Sequence, residues 1–331
     1  MTPSMRGRFY ALAAQALEDD PRVAMVFAEI GVGEMPRHER MFNVGIREQL
    51  MISVAAGLAL EGYRPVVHSY TPFAVERPFE QIKLDLGHQD LGAVIVSTGA
   101  SYDGARSGRT HQAPEDVALL SALPGWTIHV PGHADELEGL FASALLGDTR
   151  VYIRTTEESN DARVEGDGLA VVRRGSDSAP LVVAVGPTLA PTLAATADRD
   201  ATVAYLATVR PFDGRGLRTA LRGPDVVLVE PYLAGTSAGE ISHALSDRPH
   251  RLLALGVRNE EFRRYGTGPE HRAAHGLDAA GIRASIESWQ DARGNELPHD
   301  LPSIQRVCGN PRSTFEVAGS GHRDVTTLPR V

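Results

Sequence analysis

Much about this 331-residue sequence is set by what it lacks. It has a single cysteine, Cys308. That excludes an internal disulfide framework and a multi-cysteine metal site, and makes a reducing cytoplasm the simplest compartment. It has no surplus of basic residues: 33 Lys and Arg stand against 42 Asp and Glu, for a net charge of −9. No basic stripe offsets this, so a nucleic-acid partner is not expected. It has no long apolar run. The longest, 50–60, falls well short of the ~20 residues that a bilayer span needs, and no membrane association is expected. The first twenty residues, MTPSMRGRFYALAAQALEDD, lack an extended apolar segment and turn acidic by Glu18; they read as an amphipathic helix rather than a leader. A dinucleotide fingerprint is missing too, since Gly31-Val32-Gly33 is too short to be one. No short-period repeat is present.

What is there alternates. Apolar runs at 23–27, 65–70, 93–98, 127–131 and 151–154 are separated by helical patterns at 46–60, 75–86, 114–123 and 134–146. A stretch rich in Gly, Ser, Asp and charge follows at 157–180 and carries one strand, 169–173. A second series of apolar runs lies at 181–186, 202–207, 225–231 and 251–257, with a last helix near 278–289. Buried apolar strands alternating with helices imply parallel βαβ units. The expectation is an α/β protein of two domains, each a largely parallel sheet flanked by helices: 1–160, a linker 161–180, and 181–290. The remaining 291–331 form a polar, proline-punctuated tail that is extended or disordered.

Three stretches could carry chemistry. In MFNVGIREQLMISVAAGLALEG (41–62), Glu48 stands directly ahead of an almost wholly apolar helix. It is either a first-turn acid that complements the helix dipole or a buried carboxylate held beside a ligand. In HSYTPFAVERPFEQI (68–82), Tyr70 and Phe73 fall where a strand ends, the place where open α/β sheets bind ligands. They could stack on a flat heterocycle or simply pack in the core. In STGASYDGARSGRTHQAPED (97–116), a glycine-rich loop leaves a strand and brings His111 to the start of a helix, a position suited to polar contact with a substrate. His271 and His275 have i, i+4 spacing without an evident third ligand, so no metal site is assigned to them.

Taken together, FNVGIREQ, SYTPF…ERPFEQI, GRTHQAPEDVALLSALPG and VYIR, in this order and spacing, resemble the thiamine-diphosphate-dependent transketolases and 1-deoxyxylulose-phosphate synthases. The resemblance covers their pyrimidine-binding and C-terminal domains, roughly 5–289, and GLDAAGI (276–282) resembles the family's C-terminal close. It implies roles residue by residue. Glu48 matches the catalytic glutamate that hydrogen-bonds N1′ of the cofactor's aminopyrimidine. Tyr70 and Phe73 match the aromatic pocket for that ring, and Arg77 the basic position just beyond. His111 matches the histidine that contacts the donor's oxygens, and Arg154 an arginine that holds substrate phosphate. Ser107 stands where many relatives carry an aspartate that contacts a sugar hydroxyl, which leaves donor preference open. Glu157 and Glu158 follow closely on Arg154 and would repel a phosphate.

The family's diphosphate-binding signature, Gly-Asp-Gly with a later Asn, holds Mg²⁺ to the cofactor. Gly166-Asp167-Gly168 lies in the linker, and no Asn follows it between 169 and 231. The resemblance therefore implies the C-terminal subunit of a split transketolase. A separate N-terminal, diphosphate-binding subunit would hold Mg²⁺ and most of the thiamine diphosphate in an α2β2 assembly that acts on sugars or sugar phosphates. The alternatives are a β subunit of a 2-oxoacid dehydrogenase, a pyruvate-using synthase half, or a non-catalytic regulatory subunit of the same fold.

Overall fold

The structure, a computed structural model, describes residues 4–292 apart from 167 and 264. The polar tail from 293 onward, Cys308, and the Asp167 of the linker Gly-Asp-Gly lie outside the described residues.

The first half of the chain runs α1 (Met5–Asp19), β1 (Val23–Phe27), β2 (Met41–Asn43), α2 (Glu48–Leu60) and β3 (Arg64–Tyr70). Two π-helical turns, Pro72–Glu76 and Ile82–His88, then flank α3 (Phe79–Gln81). β4 (Ala93–Thr98), α4 (Asp116–Ser121), β5 (Trp126–His129), α5 (Glu136–Leu146) and β6 (Arg150–Arg154) follow. The second half contains β7 (Ala170–Arg173), β8 (Leu181–Val185), α6 (Leu189–Ala195), β9 (Thr202–Leu206), β10 (Thr208–Arg210) and α7 (Gly214–Ala220). It ends with β11 (Asp225–Leu233), α8 (Ala238–Ala244), β12 (Arg251–Val257), α9 (Gly268–His275) and α10 (Ala279–Asp291).

These strands form a seven-stranded sheet, ordered β10-β5-β6-β4-β3-β1-β2, and a five-stranded sheet, ordered β12-β11-β8-β9-β7. All pairings are parallel except at one edge of each sheet, β10 on β5 and β7 on β9. The α/β fold expected from the alternation is the one observed. Strands β1, β4 and β8 are buried along their whole length, which is why they read as unbroken apolar runs rather than alternating ones. One core cluster joins residues of both sheets, from Val67 and Ile95 in the first to Val183 and Leu228 in the second.

Two expectations need correction. The helix expected at 75–86 is split into π-helical turns around Pro78, which cannot donate an interior helical hydrogen bond. The short strands β2 and β10 had no sequence signal, since each is only 3 residues long.

Candidate active site

Strands β2, β3 and β4 run parallel, and each ends on the same carboxyl edge of the larger sheet. Tyr70, the last residue of β3, sits in register with Thr98, the last of β4. The segments that leave this edge carry Glu48, then Phe73 and Arg77, then His111. A parallel sheet thus gathers residues far apart in sequence at one rim.

Glu48 opens α2 after a tight turn at Gly45, whose φ of 70° lies in the region that favours glycine. The carboxylate is 2% exposed, and both of its oxygens accept from Arg77 Nη1 at 2.8 Å. The Arg77 side chain is 38% exposed and covers the acid from the solvent side. Arg77 also lies 4.0 Å from the centre of the Phe73 ring, a cation–π contact. The π-helical turn makes this possible. Arg77 N–H donates back to Pro72 across five residues, and the widened turn brings Phe73 and Arg77 to one side. Two more bonds fasten α2 to this segment: Gln49 Nε2 to the Arg77 carbonyl at 3.3 Å, and Ser53 Oγ to Asp85 at 2.6 Å.

Phe73, Tyr70 and His111 form an edge-to-face group, with ring centres 6.3 Å (Tyr70–Phe73), 6.0 Å (Tyr70–His111) and 5.1 Å (Phe73–His111) apart. Glycines make room for it. Gly99 meets the Tyr70 ring, and a Cβ at Gly104 would lie 2.7 Å from the His111 carbonyl oxygen. The His111 ring is hydrogen-bonded through Nδ1 to Thr110 Oγ1 at 3.0 Å. Ser107 lies in a 3₁₀ turn of the same loop and is exposed.

Sequence reasoning missed the support behind this group. Arg6 of α1 lies 5.7 Å from the Tyr70 ring centre and donates from Nε to Tyr10 Oη at 2.9 Å. Tyr10 Oη in turn contacts His68 Nε2 at 3.1 Å, and His68 Nδ1–H donates to the Val96 carbonyl at 2.8 Å. The carbonyl can only accept, which fixes the tautomer: Nδ1 carries the proton and Nε2 accepts from Tyr10. Burial pushes the His68 imidazole down to about 4 from its ordinary 6.5, so it is neutral. The Arg6/Tyr10 spacing of i, i+4 was the available signal; nothing local linked it to Tyr70.

Arg154 lies apart from this group, in a buried ion pair. Its side chain is 1% exposed, with Nε donating to Asp116 Oδ2 at 2.7 Å and Nη2 to Ser101 Oγ at 2.5 Å. Ser101 Oγ donates onward to the carbonyl of Pro231 in β11, and the guanidinium lies 5.6 Å from the Tyr232 ring centre. The cavity it lines is narrow, about 30 Å³. Arg154 joins the two sheets instead of presenting an open fork to an anion. His271 and His275 are buried and stack on Tyr102, at ring separations of 4.3 and 5.2 Å.

Residues 3–161 match the family Transketolase, pyrimidine binding domain. The chain is 30% identical, over 89% of its length, to 1-deoxy-D-xylulose-5-phosphate synthase 1 of Geobacter sulfurreducens. It is also similar to a solved split gene transketolase in an inactive beta4 tetramer, at 25% identity and a TM-score of 0.73, covering 87% of this chain and 98% of that one. This chain belongs to the thiamine-diphosphate-dependent transketolase family. The chain is also similar to an uncharacterized 33.6 kDa protein in the fasciation locus of Rhodococcoides fascians, 48% identical over 83% of this chain and 91% of that one. By contrast, the chain spans about half (49%) of the length of the Geobacter synthase. Among the described residues, no helix is long and apolar enough to cross a membrane.

Proposed function

We propose that this chain is the pyrimidine-binding half of a split transketolase, with its pyrimidine-binding part ending near residue 160. In this reading it moves a two-carbon ketol unit from a ketose to an aldehyde once a separate diphosphate-binding chain is present. The observation that carries the reading is the buried Glu48 carboxylate beside the Tyr70–Phe73–His111 group, on the carboxyl rim of a parallel sheet.

The donor set suits an aminopyrimidine. A carboxylate has about four lone-pair sites, and Arg77 takes two, leaving room for a ring nitrogen to donate. The half-buried Tyr70 and Phe73 rings offer apolar faces to a flat heterocycle. Bound thiamine diphosphate supplies the nucleophilic carbon that takes up and releases the two-carbon unit. Glu48 would hold a proton at N1′ of the pyrimidine, and low solvent access strengthens that bond. His111 would hydrogen-bond the oxygens of the reacting sugar carbons. Arg77 would keep the Glu48 carboxylate oriented. Mg²⁺ and the diphosphate would be held by the partner chain.

An apolar rim supports the partner. Phe42, Ile46 and Leu50, which flank Glu48 in the sequence, are exposed at 38, 72 and 45%, and Leu60 at the far end of α2 at 64%. Exposed large apolar side chains so close to a buried acid favour protein contact over open solvent. The expected assembly is α2β2, in the cytoplasm. The test is turnover of ketose and aldehyde substrates with Mg²⁺ and thiamine diphosphate, with and without a diphosphate-binding chain. Activity is expected only with both chains; full activity of this chain alone refutes the split reading. The likeness to the Geobacter synthase favours a second reading, a 2-oxoacid such as pyruvate as donor. The same assembled enzyme, given pyruvate, decides it.

A further inference from the structure

The π-helical turn that carries Phe73 and Arg77 also carries Glu76, an acid with no part in the roles above. This turn packs against α4. The charged groups around Glu76 are Glu115 and Asp116 at the start of α4, and Arg109 from the histidine loop. Asp116 already accepts from Arg154 and from the Tyr152 hydroxyl. Arg109 donates to Glu115 Oε1 at 2.5 Å and to Glu261 at 3.3 Å. Three buried oxygens are left without a donor: Asp116 Oδ1, Glu76 Oε1 and Glu115 Oε2. Of these groups, Glu115 pairs with Glu76 side chain to side chain, while Asp116 acts on Glu76 only through its charge. Two ionised carboxylates cannot bond to each other, and a buried charge without a donor is costly. One proton between them supplies the donor and removes the repulsion.

We propose that Glu76 and Glu115 share a single proton, and that this proton clamps the turn bearing Phe73 and Arg77 to the loop bearing His111. Both are positioning residues: Glu76 acts through its neighbours on the turn, and Glu115 through Arg109, which holds the loop by donating to the Gln112 carbonyl at 2.7 Å. Burial, together with the acids nearby, pushes the Glu76 carboxyl from 4.5 up to about 7. A carboxyl raised in the folded state stabilises the protein fully below its unfolded value; here that stabilisation is lost as pH rises from 4.5 to about 7. Above that range the pair carries two negative charges, and the turn and loop are driven apart. The catalytic consequence rests on the function proposed above; the clamp itself does not.

The test uses the full chain. Melting temperatures are compared across this pH range for wild type, Glu76→Gln and Glu115→Gln. A glutamine at either position donates an amide hydrogen at every pH. The wild-type value minus that of either variant should therefore fall by several degrees as pH rises to about 7, then stay level. Carbon-13 spectra of labelled glutamate carboxyls should show one resonance with a midpoint of about 7. It should be absent from Glu76→Gln and should move back toward 4.5 in Glu115→Gln. A pH-independent difference in melting, or a Glu115→Gln chain that keeps the raised midpoint, overturns the shared proton. In the assembled enzyme, Glu76→Gln should retain turnover above neutral pH where wild type loses it; superimposable pH profiles overturn the positioning role. An assembly without any turnover refutes the proposed function and leaves the melting and carbon-13 results to decide the clamp.

Discussion

Glu48 combines deep burial with a counter-ion that is itself open to water. Replacing it with Gln keeps the shape and releases Arg77 to solvent, so no charge is stranded. Turnover of the assembled enzyme should fall by roughly 10²–10⁴-fold while melting of the chain stays nearly unchanged. Steady-state kinetics and calorimetry on Glu48→Gln check both halves of that statement. His68 and His129 have the opposite pH sign to Glu76. Burial holds each imidazole at about 4 against an ordinary 6.5, so each contributes stability above 6.5 that is lost as pH falls toward about 4. Urea midpoints recorded across that interval should drop on acidification. Glu48, Tyr70, Phe73, Arg77 and His111 could be proposed from the sequence because each lies in a contiguous motif, and the fold gathers them at one rim. Glu76 lies in one of those motifs too, but its partner Glu115 is on another element, and only the fold brings the pair together.

The alternating elements were legible because parallel strands buried on both faces leave unbroken apolar runs. The turn structure after β3 was not. Periodicity over 75–86 suits a helix, but it does not reveal that Pro78 and the i→i+5 bond at Arg77 widen the backbone into π-helical turns. Glycine positions sharpen this at the level of elements. Ala at Gly104 would press on the His111 backbone, with its Cβ 2.7 Å from the carbonyl oxygen and 3.0 Å from the His111 Cβ. The expected result is a folded chain whose assembled activity drops about 10²-fold, through displacement of the ring. Gly57 lies on the exposed face of α2, and a methyl group added there would meet nothing within 4 Å. Ala at this position should stabilise the isolated chain by about 0.5–1 kcal/mol, measurable by urea titration.

Across the whole molecule, Arg154 helps to tie the two sheets together. Truncation to Ala strands Asp116 at 0% exposure and cuts the link through Ser101 to β11. Such a loss costs about 3–5 kcal/mol, and equilibrium unfolding should register it even where no substrate is present. An arginine serving substrate phosphate alone would raise KM and leave unfolding unchanged. The motif VYIR points to this residue, but its type could not separate anion binding from a buried ion pair. Its neighbours Asp116, Tyr152 and Ser101 come from three separate segments, and their meeting is a property of the folded chain.

Strand β10 belongs by sequence to the second half, yet it closes the first sheet, with Thr208 facing His129 and Val130 N–H donating to the Ala207 carbonyl at 2.6 Å. A gene fragment stopping near residue 160 would strip that cover from β5 and leave a bare row of amides ready to recruit other molecules. Such a fragment should form inclusion bodies, while one carried through α10 should not.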